Sequence, residues 1–257
     1  MLAIHPDQRL DDRPAQPAQL ALPTVRGGFE VHLTVGHGAA DALAAWADGH
    51  GLKFTHILLE RGASPSQPML TLRADGTLEE VAALTARVRG RVERAGFTVL
   101  RAKIEATPWA EGVPASDEDA ASHGAGRYFE HHVKLLLPAQ AQALPQAQAP
   151  AQTAHPAQTP AADPARFAEL TALAVRHGAH LSRNPRRTRE DGRREWFVTQ
   201  RCRLVGLASA GRRLDELLRD LSADGREVAS VEREFVVVDS DETLDAGWIT
   251  EPGHSAR

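Results

Sequence analysis

Cysteine is nearly missing from the chain. The one present, Cys202, excludes an internal disulfide framework and a thiolate metal cluster, and it fits a reducing compartment. Long hydrophobic runs are missing too, since no stretch approaches the roughly 18 apolar residues of a membrane span. The opening MLAIHPDQRLDDRPAQPAQ has neither the basic start nor the apolar core of a secretion signal, so a soluble cytoplasmic protein with no membrane partner is expected. Charge of one sign is also lacking. The formal net charge is -4 over 257 residues, with acids and bases interspersed, so no global field draws in nucleic acid and any polyanion must bind locally. With one Tyr and 5% aromatic residues, base stacking on an aromatic-rich sheet is not expected.

What is present is alternation. Residues 1–27, rich in Pro, Gln, Asp and Ala, read as a disordered lead-in. From Phe29 to Val35 apolar and polar residues alternate, placing Val31, Leu33 and Val35 on one face of a strand and Glu30, His32 and Thr34 on the other. Residues 39–49 carry Leu43, Ala44, Trp46 and Ala47 at helical spacing before a glycine stop. Strands are predicted over 52–60 and 67–73. Thr77 and Glu80 form a capping box for a helix with Val81, Leu84, Val88 and Val92 on one stripe, and residues 97–106 close the unit as a strand.

The order β-α-β-β-α-β then repeats. Phe129-Glu130-His131-His132-Val133-Lys134 echoes Phe29-Glu30-Val31-His32-Leu33-Thr34, with His50-Gly51 matching His177-Gly178, Gln67 matching Gln200 and Glu105 matching Glu234. In the second copy, helices are predicted over 167–175 and 212–223, a strand pair over 179–184 and 195–204, and a closing strand over 227–239. The expected fold is α+β, a tandem duplication of ferredoxin-like βαββαβ units with antiparallel sheets, each keeping one sheet face open. The expected organisation is a first unit over 28–110, a linker over 111–127, a second unit over 128–240 and a tail over 241–257. A flexible Pro/Ala/Gln insertion over 138–164 lies inside the second unit, where deletion is expected to be tolerated.

Strand alternation puts Glu30, His32 and Thr34 on one open face, and Glu130, His132 and Lys134 on the other. Lys103 and Glu105, or Glu232 and Glu234, join them from the closing strands, and the two faces can meet across a pseudo-twofold axis. The string His32-Leu33-Thr34-Val35 resembles the His-x-Thr-x motif of 2H phosphoesterases. That resemblance implies a metal-independent phosphoesterase or nucleotide-binding protein with no cofactor, in which His32 and His132 serve as acid and base on a 2',3'-cyclic phosphate. Thr34 and Lys134 then hold phosphate oxygens, with Lys134 standing where the family has Thr or Ser. Substrate contacts are also expected from Glu30, Glu130, Gln67, Gln200 and Lys103, with a small phosphorylated molecule or an RNA end as partner. The longer strings FEVHLTV, YFEHHVKLLLP and VEREFVVVDS resemble a bacterial group of unknown function, which implies no activity.

Two other readings use the same residues. Imidazole and carboxylate ligands suit Zn, Fe or Mn, drawn from His32 with Glu30, or His131, His132 and Glu130, joined by Glu105, Glu232 or Glu234, although no H-E-x-x-H spacing is present. Alternatively, His and Glu pair across strands in a non-catalytic ligand-binding or assembly module, including a homo-oligomer. Six arginines, Arg183, Arg186, Arg187, Arg189, Arg193 and Arg194, cluster in one turn and read first as a solvated hairpin balanced by Glu190, Asp191 and Glu195, and second as a guide for a phosphate. Trp46, Trp196 and Cys202 read as packing residues, and the acidic tail from Asp239 to Trp248 as a clasp that folds back.

Overall fold

A computed structural model describes residues 24–138 and 164–249. The predicted lead-in up to residue 23, the body of the Pro/Ala/Gln insertion and the last eight residues of the tail lie outside the described residues. Among the described residues there are eight strands: β1 (Arg26–Val35), β2 (Lys53–Leu59), β3 (Ser66–Thr77), β4 (Val99–Ala106), β5 (Tyr128–Leu137), β6 (Ala179–Thr188), β7 (Arg194–Arg203) and β8 (Val228–Asp239). The helices are α1 (Ala40–Gly49), α2 (Leu78–Arg94), α3 (Asp117–His123), α4 (Pro164–Arg176) and α5 (Leu207–Ala223). None is long and apolar enough to cross a membrane.

The fold is α+β, and every strand pair is antiparallel. The strands close into one barrel in the order β1-β3-β2-β6-β7-β5-β8-β4. Each half contributes its strands in the same local order, β4-β1-β3-β2 and β8-β5-β7-β6. Two short seams join the halves. Leu58 and Leu59 pair with Arg183 and Ser182, and residues 103–106 of β4 pair with residues 235–239 of β8. Closure of this kind removes the free edges that two separate open sheets present.

The charged side chains gather inside the barrel, beside apolar ones such as Ile57, Leu59, Met69 and Phe197, and the helices cover an apolar outer face. Val31, Leu33 and Val35 of β1 point outward and are buried with Val81, Val88 and Val92 of α2 and Leu43 of α1. On the opposite side Val133, Leu135, Trp196 and Val198 meet Leu170 and Leu173 of α4 and Leu214, Leu217 and Leu221 of α5. Each such aliphatic burial contributes roughly 1.5–3 kcal/mol, so the helices are held by the outer face and the inner face is free to carry charge. The capping box of Thr77 and Glu80 starts α2 as the sequence predicts.

Several boundaries move. β1 starts at Arg26, inside the predicted lead-in, because Arg26–Gly28 pair with residues 75–77 of β3. The predicted linker contains α3, started by a Ser116/Asp119 capping box, with Asp117 Oδ1 accepting from Gly206 N at 2.8 Å. Gly206 must be glycine, since a Cβ there would sit 2.4 Å from the Ser116 carbonyl carbon. The matching of Gln67 with Gln200 is corrected by register. His32 pairs with Thr71 and His132 with Thr199, so Gln67 corresponds to Glu195. Gln200 lies on the helix-facing side of the sheet, where its amide donates to His177 O.

The expected clasp is the stopper of one barrel end. Ser240 bonds both ways with the Ala102 backbone, and the Trp248 indole donates to Leu181 O at 2.9 Å. Asp245, 3% exposed, accepts from Arg101 at 3.0 Å, Arg201 at 2.7 Å and Gln67 at 3.2 Å. Replacing Asp245 by Ala leaves two buried guanidinium groups short of a partner, at a cost of about 3 kcal/mol. Thermal unfolding of Asp245→Ala is expected about 6–12 °C below the parent; an unchanged midpoint would show that the stopper is not structural.

Candidate functional site

The stopper leaves a cavity of about 180 Å³ inside the barrel. Both predicted triplets reach it: Glu30, His32 and Thr34 from β1, and Glu130, His132 and Lys134 from β5. Lys103, Glu105, Glu232, Glu234 and Gln67 join them, so the two polar faces meet within one chain. Gln200 is outside, as is His131, which is buried on the outer face with Nδ1 3.1 Å from Gln200 Oε1. His131 therefore leaves the predicted ligand set. Of the clustered arginines Arg187 lines the cavity, whereas Arg186 pairs with Asp41, and Arg193 with Asp191 and Glu227.

The two histidines are held alike. His32 Nδ1 lies 3.0 Å from Thr71 Oγ1, and His132 Nδ1 lies 3.0 Å from Thr199 Oγ1. Each contact occupies the Nδ1 edge and turns Nε2 toward carboxylates. His32 Nε2 is 3.1 Å from Glu105 and 3.6 Å from Glu30, and His132 Nε2 is 3.5 Å from Glu234 and 3.8 Å from Glu130. The threonines were not singled out in the sequence. The signal for them is positional: each stands at the cross-strand register of its histidine.

The carboxylates divide into two kinds. Glu30 is taken up by Arg73 at 2.8 Å and by Lys53 at the cavity mouth, and Glu130 by Lys103 at 2.7 Å and by Arg201. Glu105 and Glu234 converge instead on each other. One donor atom each of Glu105, His132 and Glu234 lie within 4.8 Å of one another, forming a potential cation-binding group among the described residues. Glu234 Oε2 is buried with no hydrogen bond among the described residues. The Glu105 oxygens are buried too, held by the Lys103 and His32 charges rather than by hydrogen bonds of ordinary geometry.

Their ionisation follows from that crowding. Burial and the neighbouring Glu105 charge push the Glu234 carboxyl up to about 7. Burial opposes ionisation of Glu105 as well, but Lys103 and His32 outweigh it and hold that carboxyl well below its usual range. For His132, burial is outweighed by Glu234 and Glu130, which raise it to about 9, and Glu105 raises His32 in the same way. The seven lining carboxylates Glu30, Glu105, Glu130, Glu195, Glu232, Glu234 and Asp245 face the five cations Lys53, Arg101, Lys103, Lys134 and Arg187, and the raised imidazoles of His32 and His132 supply the balance. A divalent ion that displaces the two imidazole protons takes over that charge.

A pH dependence follows with a definite sign. His132 and Glu234 both hold their protons more tightly folded than unfolded, so the stabilisation from each is complete below its unfolded pKa. It is lost as pH rises through about 7 for Glu234 and about 9 for His132. In chelator, the unfolding midpoint is expected to fall by about 5 °C or more between pH 6 and pH 9.5. Glu234→Gln should flatten the part of that fall near pH 7; equal slopes in variant and parent would refute the assignment. Comparison of the chain with protein-family models and with curated proteins returned no match.

Proposed function

We propose that the barrel interior binds one divalent transition-metal ion and that the chain is a metal-dependent enzyme acting on a small molecule in the cavity. The ligands are Nε2 of His32 and His132 with the carboxylates of Glu105 and Glu234. The observation that carries this reading is the convergence of the Glu105, His132 and Glu234 donors within 4.8 Å. Two imidazoles and two carboxylates match the preferences of Zn, Mn and Fe, and the Thr71 and Thr199 hydroxyls at Nδ1 supply the outer-sphere contacts that orient metal-bound histidines. Lys103 engages one oxygen of Glu105 and leaves the other, which faces His32, available as a ligand.

When bound, such an ion supplies Lewis-acid activation of an oxygen donor, either water or a substrate oxygen. The protein's own residues do the rest. Lys103, its pKa held well above the ordinary value by Glu105 and Glu130 against the opposing effect of burial, keeps a fixed positive charge beside the site. Glu30 and Lys134 stand nearer the mouth, where each is partly exposed and in reach of an entering molecule.

The metal-independent reading assigns His32 and His132 as base and acid on a phosphoester, and it draws on the same matched pair of histidines. It sets a phosphate among Glu30, Glu105, Glu130 and Glu234, where like charge opposes it, so the cation reading is the better supported. We also infer a tandem duplication of ferredoxin-like units. Its support is the shared strand order of the two halves and the matching registers, His32 opposite Thr71 with Glu30 opposite Glu105, and His132 opposite Thr199 with Glu130 opposite Glu234.

Equilibrium dialysis against Zn²⁺, Mn²⁺ and Fe²⁺ with elemental analysis tests the proposal. The full chain is expected to retain about one ion, His132→Gln and Glu234→Gln to lose it, and Thr199→Val to bind about 10–100-fold more weakly. Retention by the double variant His132→Gln/Glu234→Gln would overturn the ligand assignment. Hydrolysis of 2',3'-cyclic nucleotides in EDTA, lost on His32→Ala, would overturn the metal reading in favour of the two-histidine mechanism.

A further inference from the structure

The cavity wall is divided by chemistry. The half-barrel β5-β8-β4-β1 supplies both histidines and the Glu105 and Glu234 carboxylates. The half-barrel β3-β2-β6-β7 faces them with Ile57, Leu59 and Met69, then Phe197, and Trp248 of the C-terminal segment completes that wall. These apolar side chains lie inside the barrel, away from the three clusters that the helices cover. Around them the same half-barrel offers the uncharged Thr55, Ser182 and Asn184, while its charged lining residues include Lys53 and Glu195, which pair with Glu30 and Lys134 at the mouth, and Arg187. A wall of this kind has no role in holding an ion; it excludes water from one side of a guest.

Size narrows the guest further. The cavity measures about 180 Å³, and an apolar cavity of roughly 150 Å³ holds one benzene ring. A nucleotide or an RNA end is several times larger. Resting on the metal reading above, we infer that the cavity binds a compact, largely apolar molecule of single-ring size carrying an oxygen donor at one end. Its ring packs on Ile57, Met69 and Phe197, and its oxygen points at the His32–Glu105–His132–Glu234 cluster. The mouth near Lys134 and Glu30, whose side chains are 21% and 18% exposed, is the route in, because the stopper built on Asp245 closes the other end.

The test uses the full chain, loaded with Zn²⁺ or treated with EDTA, titrated with toluene, phenol, catechol, glucose and 2',3'-cyclic AMP and followed by ligand-observed NMR. On the zinc form the expected order of affinity is catechol, then phenol, then toluene, with no binding of glucose or the cyclic nucleotide. EDTA should weaken catechol at least tenfold and leave toluene unchanged. Ile57→Phe fills the apolar side and should weaken all three ring probes at least tenfold while zinc content stays at the parent level; Met69→Phe serves if that variant does not fold. Zinc retained with no ring probe bound, or glucose bound as well as phenol, overturns the inference. Ring probes bound equally with and without EDTA, and blocked by Ile57→Phe, leave the ligand class standing and overturn the metal reading instead.

Discussion

Lys103 ties the two halves of the barrel together from within. Its ammonium, 11% exposed, contacts Glu105 of its own strand and, at 2.7 Å, Glu130 of the other half. Without that charge the interior would hold carboxylates from both halves with too few cations among them. An isolated buried carboxylate costs several kcal/mol and takes up a proton instead of ionising. The barrel closes around its acids because Lys103, Arg201 and Arg101 are inside with them.

That constraint explains the inverted layout. An eight-stranded barrel of this size has room for side chains or one small guest. With α1, α2, α4 and α5 on the outer face, the apolar half of β1 and of β5 is already used, and their polar half must go inward. Cation pairing then sorts the polar groups. Glu30 and Glu130 are satisfied by Arg73, Lys103 and Arg201, and Asp245 by Arg101 and Arg201, whereas Glu105 and Glu234 converge near the seam between β4 and β8 with His132 Nε2, and Glu105 is shared by Lys103 and His32. The site is the part of the interior where balancing charge sits on imidazoles, whose protons a metal ion can displace.

The strands and helices were legible in the sequence because their signals are local. The alternation through Phe29–Val35 and the Thr77–Glu80 box each decide a structure within a few residues. The polar triplets were legible for the same reason, since alternation alone commits Glu30, His32 and Thr34 to one face. Closure was not legible, because it depends on two short seams linking residues more than 120 positions apart, such as Leu58 with Arg183. The pairing of each histidine with a threonine needs the β1–β3 and β5–β7 registers, which no local pattern encodes. The mistaken match of Gln67 with Gln200 has that origin: Gln200 stands an odd number of residues beyond Glu195, and an odd offset in a strand reverses the face. His131 misled similarly, since a His-His pair in a strand always sends one ring outward.

Anomalous diffraction from crystals soaked in Zn²⁺ or Mn²⁺ locates the ion itself. One strong peak is expected inside the barrel, about 2.0–2.2 Å from Nε2 of His32 and His132 and from carboxylate oxygens of Glu105 and Glu234. A peak only at the surface, or an interior with Lys103 bridging the carboxylates and no ion at any concentration, would contradict that placement.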